Sequence, residues 1–267
     1  MKPTSPTPSL RHAALAVVLE SDYGLKAGLA RTLDAGSFAV DAAPPLAEPP
    51  GVPGRGAAPP LVPHLAIRQR SVRTPEGRAA LIHALAHIEL NAIDLAADAV
   101  WRFAGMPDDF YRDWARVAAE EALHFCLLRD HLATLGHDYG DFPAHSGLWD
   151  MARRTRHDVL ARMALVPRTL EARGLDASPA VRQKLLAAGD ADGAAIIDII
   201  LRDEIGHVAI GNRWYRWLCA QRGLDPVAAY APLAAAHGAP RLRGPFNLEA
   251  RRAAGFDQEE LTLLDQP

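Results

Sequence analysis

Two short runs constrain this chain more than anything else in it: Glu120-Glu121-Ala122-Leu123-His124 and Asp203-Glu204-Ile205-Gly206-His207. Each is an acidic pair with a histidine three residues after its second member, and each interrupts a long helical pattern of apolar residues. Residues three apart on a helix share a face. Glu121 with His124, and Glu204 with His207, therefore each present a carboxylate and an imidazole to one point. Two such pairs, joined by one glutamate from each of two further helices, are the ligand set of a di-iron or di-manganese carboxylate site in a four-helix bundle. The chain would have to supply those two carboxylates at matching depth.

Thr74-Pro75-Glu76-Gly77 reads as a helix start, with Thr as N-cap, Pro at the first position and an acidic residue in the first turn. That helix is expected to run to Phe103 and stop at Gly105. Its apolar stripe is Ile82, Leu85, Glu89, Ala92, Ala96, Val100 and Phe103, with Glu89 where a core leucine would fit. The next helix, from about Asp108 to Gly136, carries Phe110, Trp114, Val117, Glu121, His124 and Leu128 on its stripe. Polar groups on a buried stripe must be satisfied, and a metal satisfies a carboxylate and an imidazole together. Glu89 lies 16 residues before Gly105 and Glu121 lies 16 after it. At about 1.5 Å per residue each is roughly 24 Å from the turn, so antiparallel packing brings the two to one level.

A third helix is expected from Leu148 to Arg173, kinked at Pro167 and closed by Gly174 as C-cap. A short helix, Pro179 to Ala188, should follow Ser178 as N-cap, and a fourth long helix should run from Asp190 to Cys219. Glu171 lies 33 residues before Glu204, against 32 between Glu89 and Glu121, which hints at two similar helix pairs and makes Glu171 the candidate for the remaining carboxylate; the alternative, with Pro167 blurring the helical phase, is a surface glutamate near a helix end. Gly211 on the fourth helix suggests close backbone approach or room for a substrate. Glu120 and Asp203 invite a role behind the ligands, Asp203 orienting His124 and Glu120 orienting His207 across to the other helix. The alternative for both is an exposed acid on the flank. Oxygen and imidazole donors without thiolate favour iron or manganese over structural zinc.

The rest of the chain frames this bundle. Leu10 to Asp34 reads as a helical hairpin ending at Gly36, and residues 38–63 hold so many prolines that an extended arm is expected over the bundle surface. The domain organisation so read is 1–73 for hairpin and arm, 74–222 for the bundle and 223–267 for a C-terminal tail with a helix near Gln258–Leu264. His87 and Glu89 are two apart, on nearly opposite helix sides, so they cannot serve one metal. With His83, Asp94 and Asp98, His87 lines a separate stripe suited to hydrogen bonding at the core edge or to contact with the arm. The apolar run Ala13 to Leu19 is short and followed by Glu20-Ser21-Asp22, unlike a signal peptide, and no run reaches the ~18 apolar residues of a membrane span. A net charge of −3 gives no pull toward nucleic acid or anionic membrane, and two cysteines without a CxxC suit a reducing compartment. The expectation is cytoplasmic, with no membrane partner.

Five segments taken together resemble a known bacterial family: His83-Ala-Leu-Ala-His87-Ile-Glu89, Glu120-Glu121-Ala-Leu-His124-Phe125, Pro143-Ala-His145-Ser-Gly147-Leu-Trp149, Leu170-Glu171-Ala-Arg-Gly174-Leu-Asp176 and Arg202-Asp203-Glu204-Ile-Gly-His207-Val208. The resemblance is to the ferritin-like family of unknown function (domain of unknown function 455 type), and it covers nearly the whole chain, Pro-rich arm included. It implies an all-α, ferritin-like four-helix bundle with Glu89, Glu121, His124, Glu171, Glu204 and His207 as metal ligands. Asn91 stands where relatives are expected to have Gln. More distantly the pattern looks like the di-iron tRNA hydroxylases. The expected function is a non-haem di-iron carboxylate oxidoreductase holding two Fe ions (or Fe/Mn) and using O₂ to hydroxylate or oxidise an organic substrate, a small molecule or a modified nucleoside. The alternative is a ferroxidase or metal-handling protein without an organic substrate. A homodimer is left open.

Overall fold

The computed structural model describes residues 8–35, 38–68 and 70–264. Gly36, expected to end the hairpin, and nearly all of the Pro-rich first eight residues lie outside them. The described residues are all-α: they form helices and irregular segments, joined by two isolated bridges, Ser9–Ala39 and Leu61–Ala144, and by no strand. The chain divides into two compact units, Met1–Arg68 with Ile82–His145, and Gln69–Leu81 with Ser146–Pro267.

In the first unit, helices α1 (Leu10–Leu19) and α2 (Tyr23–Thr32) form the hairpin, separated where the Asp22 carboxylate caps α2 by accepting the Leu25 N–H at 2.8 Å. Helix α3 (Pro75–Arg102) contributes everything from Ile82 onward and is followed by α4 (Asp108–Thr134). Gly105, at φ 76°, ends α3 in the left-handed conformation that glycine adopts without strain. The Tyr111 hydroxyl then fastens the turn, donating to Phe103 O at 2.8 Å and accepting from Met106 N–H at 3.1 Å. Ile82, Ile93, Val100, Phe110, Trp114, Phe125 and Leu128 fill the core.

Residues 38–63 contain no helix and lie along α1 and α3. Proline-rich backbone is poor in N–H donors but rich in carbonyls that need partners, and buried cations supply them. Arg11, 1% exposed, donates to Asp41 O at 3.1 Å and Pro44 O at 2.5 Å through one nitrogen, and to Trp101 O at 2.7 Å through the other. Lys26, fully buried, pairs with Asp94 and reaches Gly54 O at 3.2 Å. Arg102 joins Asp98 at 2.7 Å to Glu48 of the arm at 2.5 Å, and Arg55 donates to Asn91 at 3.1 Å. The acidic stripe of α3 is thus the anchor for the arm.

α3 is the one helix among the described residues long and apolar enough to cross a membrane, a property not anticipated from its sequence, and 72% of its apolar window is buried within the structure. It behaves as a core helix.

The second unit corrects the expected third helix. Instead of one kinked rod from Leu148 to Arg173 there are α5 (Gly147–Arg154), α6 (Val159–Leu165), a π-helical segment Val166–Glu171 and then α7 (Ala172–Ala187). Asp158 caps α6 by accepting the Leu160 N–H at 3.0 Å. Pro167 has no N–H to give, and the chain widens around it into π geometry, where the Thr169 hydroxyl donates back to Ala164 O at 2.7 Å.

Gly174 is not a C-cap, Ser178 is not an N-cap, and Pro179 does not begin a new helix: α7 runs through all three. The Leu175 carbonyl, which the absent N–H of Pro179 would have served, accepts from Asn247 Nδ2 at 3.2 Å instead. A side chain distant in sequence therefore lets the helix continue.

Helix α8 (Ala191–Gln221) is capped by Asp190, which accepts the Gly193 N–H at 2.8 Å. Gly211 on α8 faces Pro167 so closely that a Cβ would stand 2.6 Å from the proline Cβ, which favours close approach over open room. The tail is more helical than expected, with α9 (Pro226–Ala236) and α10 (Leu248–Ala253) before the anticipated α11 (Gln258–Leu264). Ala172, Leu175, Val208, Ala250, Ala254, Phe256 and Leu261 form the apolar cluster that binds α7, α8, α10 and α11 together.

Candidate metal centre

Within the first unit, Tyr111 meeting Phe103 at one end and His124 meeting Glu89 further along set α3 and α4 antiparallel. Glu89 and Glu121 come to one level, as their equal distance from Gly105 requires, and His124, one turn beyond Glu121 on the same face, joins them. Each offers an atom that lies within 4.8 Å of the others'. All three are buried, at 3%, 0% and 0% exposure. His124 Nδ1 lies 3.3 Å from Glu89 Oε2 and 3.3 Å from Glu121 Oε2, so the imidazole sits between the carboxylates.

The electrostatics follow from that enclosure. Burial first, and then the neighbouring Glu121 charge, hold the Glu89 carboxyl well above the usual carboxylate range, against the pull of His124. Burial by itself would lower His124, but hydrogen bonds and charge from Glu121 and Glu89 outweigh it and push the imidazole up to about 11. A proton is thus held where two buried carboxylates and an imidazole converge. A divalent cation is the other charge suited to that position, and the donor set of carboxylate oxygens and imidazole nitrogen fits iron or manganese.

In the second unit, Glu204 and His207 are buried on α8 at 6% and 1% exposure, with His207 Nδ1 3.9 Å from Glu204 Oε1. Glu171 ends the π-helical segment. π-turns recur at functional sites because they re-aim side chains, and nothing in the local sequence except Pro167 signals this one. Asp203 is half-buried and receives the neighbouring Arg202 guanidinium through both its oxygens, at 2.8 and 3.1 Å. Glu120 is half-buried on α4.

His83 and His87 belong to a different network. Gly140 N–H donates to His83 Nε2 at 3.0 Å, and the ring stacks on Tyr139 at 5.0 Å between centroids. His87 Nε2 lies 3.1 Å from the His145 carbonyl, and its Nδ1 lies 2.7 Å from the Tyr139 hydroxyl. Asn91 Nδ2 lies 3.0 Å from the same Nε2, so one ring nitrogen accepts in either tautomer, Nδ1 from Tyr139 or Nε2 from Asn91. Both rings therefore act as acceptors and are held neutral. Burial is the leading cause that lowers each to about 4. An unfolded chain protonates these rings near pH 6.5, so it binds more protons than the folded one between pH 6.5 and 4, and stability falls on acidification. The expected loss is about 3 kcal/mol per histidine by pH 4. Urea unfolding across that range checks it: His83→Gln should flatten the slope by its share, and an unchanged slope would refute the assignment.

The folded chain is thus an all-α protein with a buried carboxylate–imidazole cluster. It belongs to the family described as Protein of unknown function (DUF455), whose model matches residues 19–262. It is also similar to an uncharacterized protein of Haemophilus influenzae (strain Rd), 50% identical over 205 residues, covering 74% of this chain and 71% of that protein. No solved structure matches.

Proposed function

We propose that the chain is a ferritin-like, non-haem di-iron (or iron–manganese) carboxylate oxidoreductase that uses O₂ to oxidise an organic substrate. The observation that carries this reading is the convergence of Glu89, Glu121 and His124 in a buried site at one level of two antiparallel helices. In this reading Glu204, His207 and Glu171 complete the ligand set, on the strength of the repeated motif and its spacing. Two metal ions held by these residues would supply the redox chemistry toward O₂. The chain's residues do the rest. Glu89 and Glu121 neutralise cationic charge in a site shut off from bulk water, where each carboxylate is worth more than at a surface. His124 gives up its bridging proton when a cation enters, so loading releases protons. Asp203 and Glu120, beside the motif glutamates, are suited to orienting imidazoles from behind.

Metal analysis of protein purified from its native host, with an optical spectrum recorded under peroxide, tests the reading. About two iron or manganese ions per chain and a ligand-to-metal absorption band are expected. Zinc alone, or no metal, would overturn it. Iron loading far beyond two per chain would move the function to storage.

A further inference from the structure

The second unit also holds a cavity of about 200 Å³ that shares no residue with the carboxylate–imidazole cluster. Its lining combines the basic Arg168, Arg241 and Arg251 with the apolar Leu242, Leu263 and Phe256. Arg168 lies on the π-helical segment and is 5% exposed, and Arg251 on α10 is fully buried.

Part of each guanidinium is already committed. Arg168 Nη2 donates to Glu260, while its flat face lies 4.6 Å from the Tyr215 ring centre and 5.0 Å from that of Phe256. Arg251 donates to Asp176 from Nε at 2.9 Å and from Nη2 at 2.6 Å, and it lies 5.2 Å from the ring centres of Phe246 and Phe256. The Nη1 of each has no hydrogen-bond partner among the described residues. A buried donor left without an acceptor costs about 1–3 kcal/mol, more when it is charged, and two of the residues lining this cavity each carry one.

The one acidic group among the described lining residues cannot serve as that acceptor. Glu260 is shared between Arg168 and Arg216, the latter at 2.6 Å. Glu260 holds Arg168 and Asp176 holds Arg251, so among the described residues it is Arg241 that leaves the cavity wall positive. Water alone suits it poorly: at roughly 30 Å³ each the space is about seven waters, every one wanting two to four polar partners, and most of the wall is hydrocarbon. Guanidinium N–H groups in a fixed plane match the two oxygens of a carboxylate. A compact dianion such as phosphate would face Glu260 and leave the apolar wall uncovered.

We propose that this cavity binds a monocarboxylic acid with a small apolar body, its carboxylate received by Arg168 and Arg251 with Arg241 at the rim. The test is calorimetric titration of the full-length chain at neutral pH with octanoate and with benzoate, which separate a flexible chain from a flat ring as the apolar body. Octanol and inorganic phosphate are the neutral and the non-apolar controls. Saturable binding of at least one acid, near one per chain, is expected, with both controls at least ~10-fold weaker, the loss that one charge-assisted pair accounts for. Arg241→Glu, a charge reversal at an exposed position, should weaken binding about 10-fold or more without touching the fold, and Arg168→Gln by more still. If Arg168→Gln does not fold by circular dichroism, Arg241→Glu decides. The proposal is overturned if neither acid saturates the chain by ~5 mM, a free energy too weak for two such pairs, if octanol or phosphate binds as well as the acids, or if Arg241→Glu binds like the parent.

Discussion

Glu121→Ala is expected to leave the protein folded and strip it of metal. Glu121 is fully buried at the centre of the α3–α4 cluster, with an oxygen 3.3 Å from His124 Nδ1. Removing a residue that only supports a ligand already costs 10–100-fold in metal affinity, so losing a ligating carboxylate should cost at least ~100-fold and leave the purified chain with well under one ion. Stability need not fall alongside. In the metal-free protein Glu89 is raised by burial and by the Glu121 charge, so deleting Glu121 relieves a repulsion that the fold otherwise tolerates. Elemental analysis paired with circular dichroism separates the two effects, and a folded Glu121→Ala that keeps two ions per chain would sink the assignment. Glu204→Ala asks the complementary question of the second unit. Loss of metal there too would mean that both motifs serve one centre. Full retention would confine any site to Glu89, Glu121 and His124.

What could be read from the sequence depended on where each backbone group and charge finds its partner. The shared depth of Glu89 and Glu121 was legible because two uninterrupted helices meet at Gly105, so counting residues measures distance. Thr74 was legible as a cap for the same local reason: its hydroxyl accepts the Gly77 N–H three residues on, at 3.1 Å. The stretch from 147 to 188 was not. Gly174 and Pro179 look like stops until Asn247, some seventy residues away, supplies a donor to Leu175 O, and the π-turn at Pro167 leans on Gly211 of α8. Buried cations were missed altogether. Arg11, Lys26, Arg168 and Arg251 look like solvated positions in a helical pattern, and only the acceptors at 41, 94, 260 and 176 make them interior. α9 was missed despite a local cue, the Asp225-Pro226 start in which Asp225 caps through the Ala228 N–H at 2.8 Å.

Lys26→Met is the substitution expected to cost the most stability. The ammonium is fully buried, paired with Asp94 at 3% exposure, and also hydrogen-bonded to Val18 O at 3.4 Å and Gly54 O at 3.2 Å. It thus joins α1, the Pro-rich arm and α3. Removing one member of a buried pair leaves an uncompensated charge, at a cost of about 3–5 kcal/mol, and here the arm loses a fastening as well. Burial already raises Asp94, and Lys26 is the first group holding it down. Without Lys26 the folded-state value climbs further above the unfolded one, so the variant keeps its stability at low pH and loses it as pH rises through the new folded value. Its deficit against the parent should be large at pH 7 and shrink below pH 5. The double variant Lys26→Met/Asp94→Leu removes the stranded charge and should recover about half of the loss, the remainder reflecting two carbonyls left without a donor at roughly 1 kcal/mol each. Chemical denaturation of the parent, both single variants and the double at two pH values completes the cycle. A deficit that is independent of pH, with no recovery in the double, would show that Lys26 acts through packing of its alkyl stem and not through its charge.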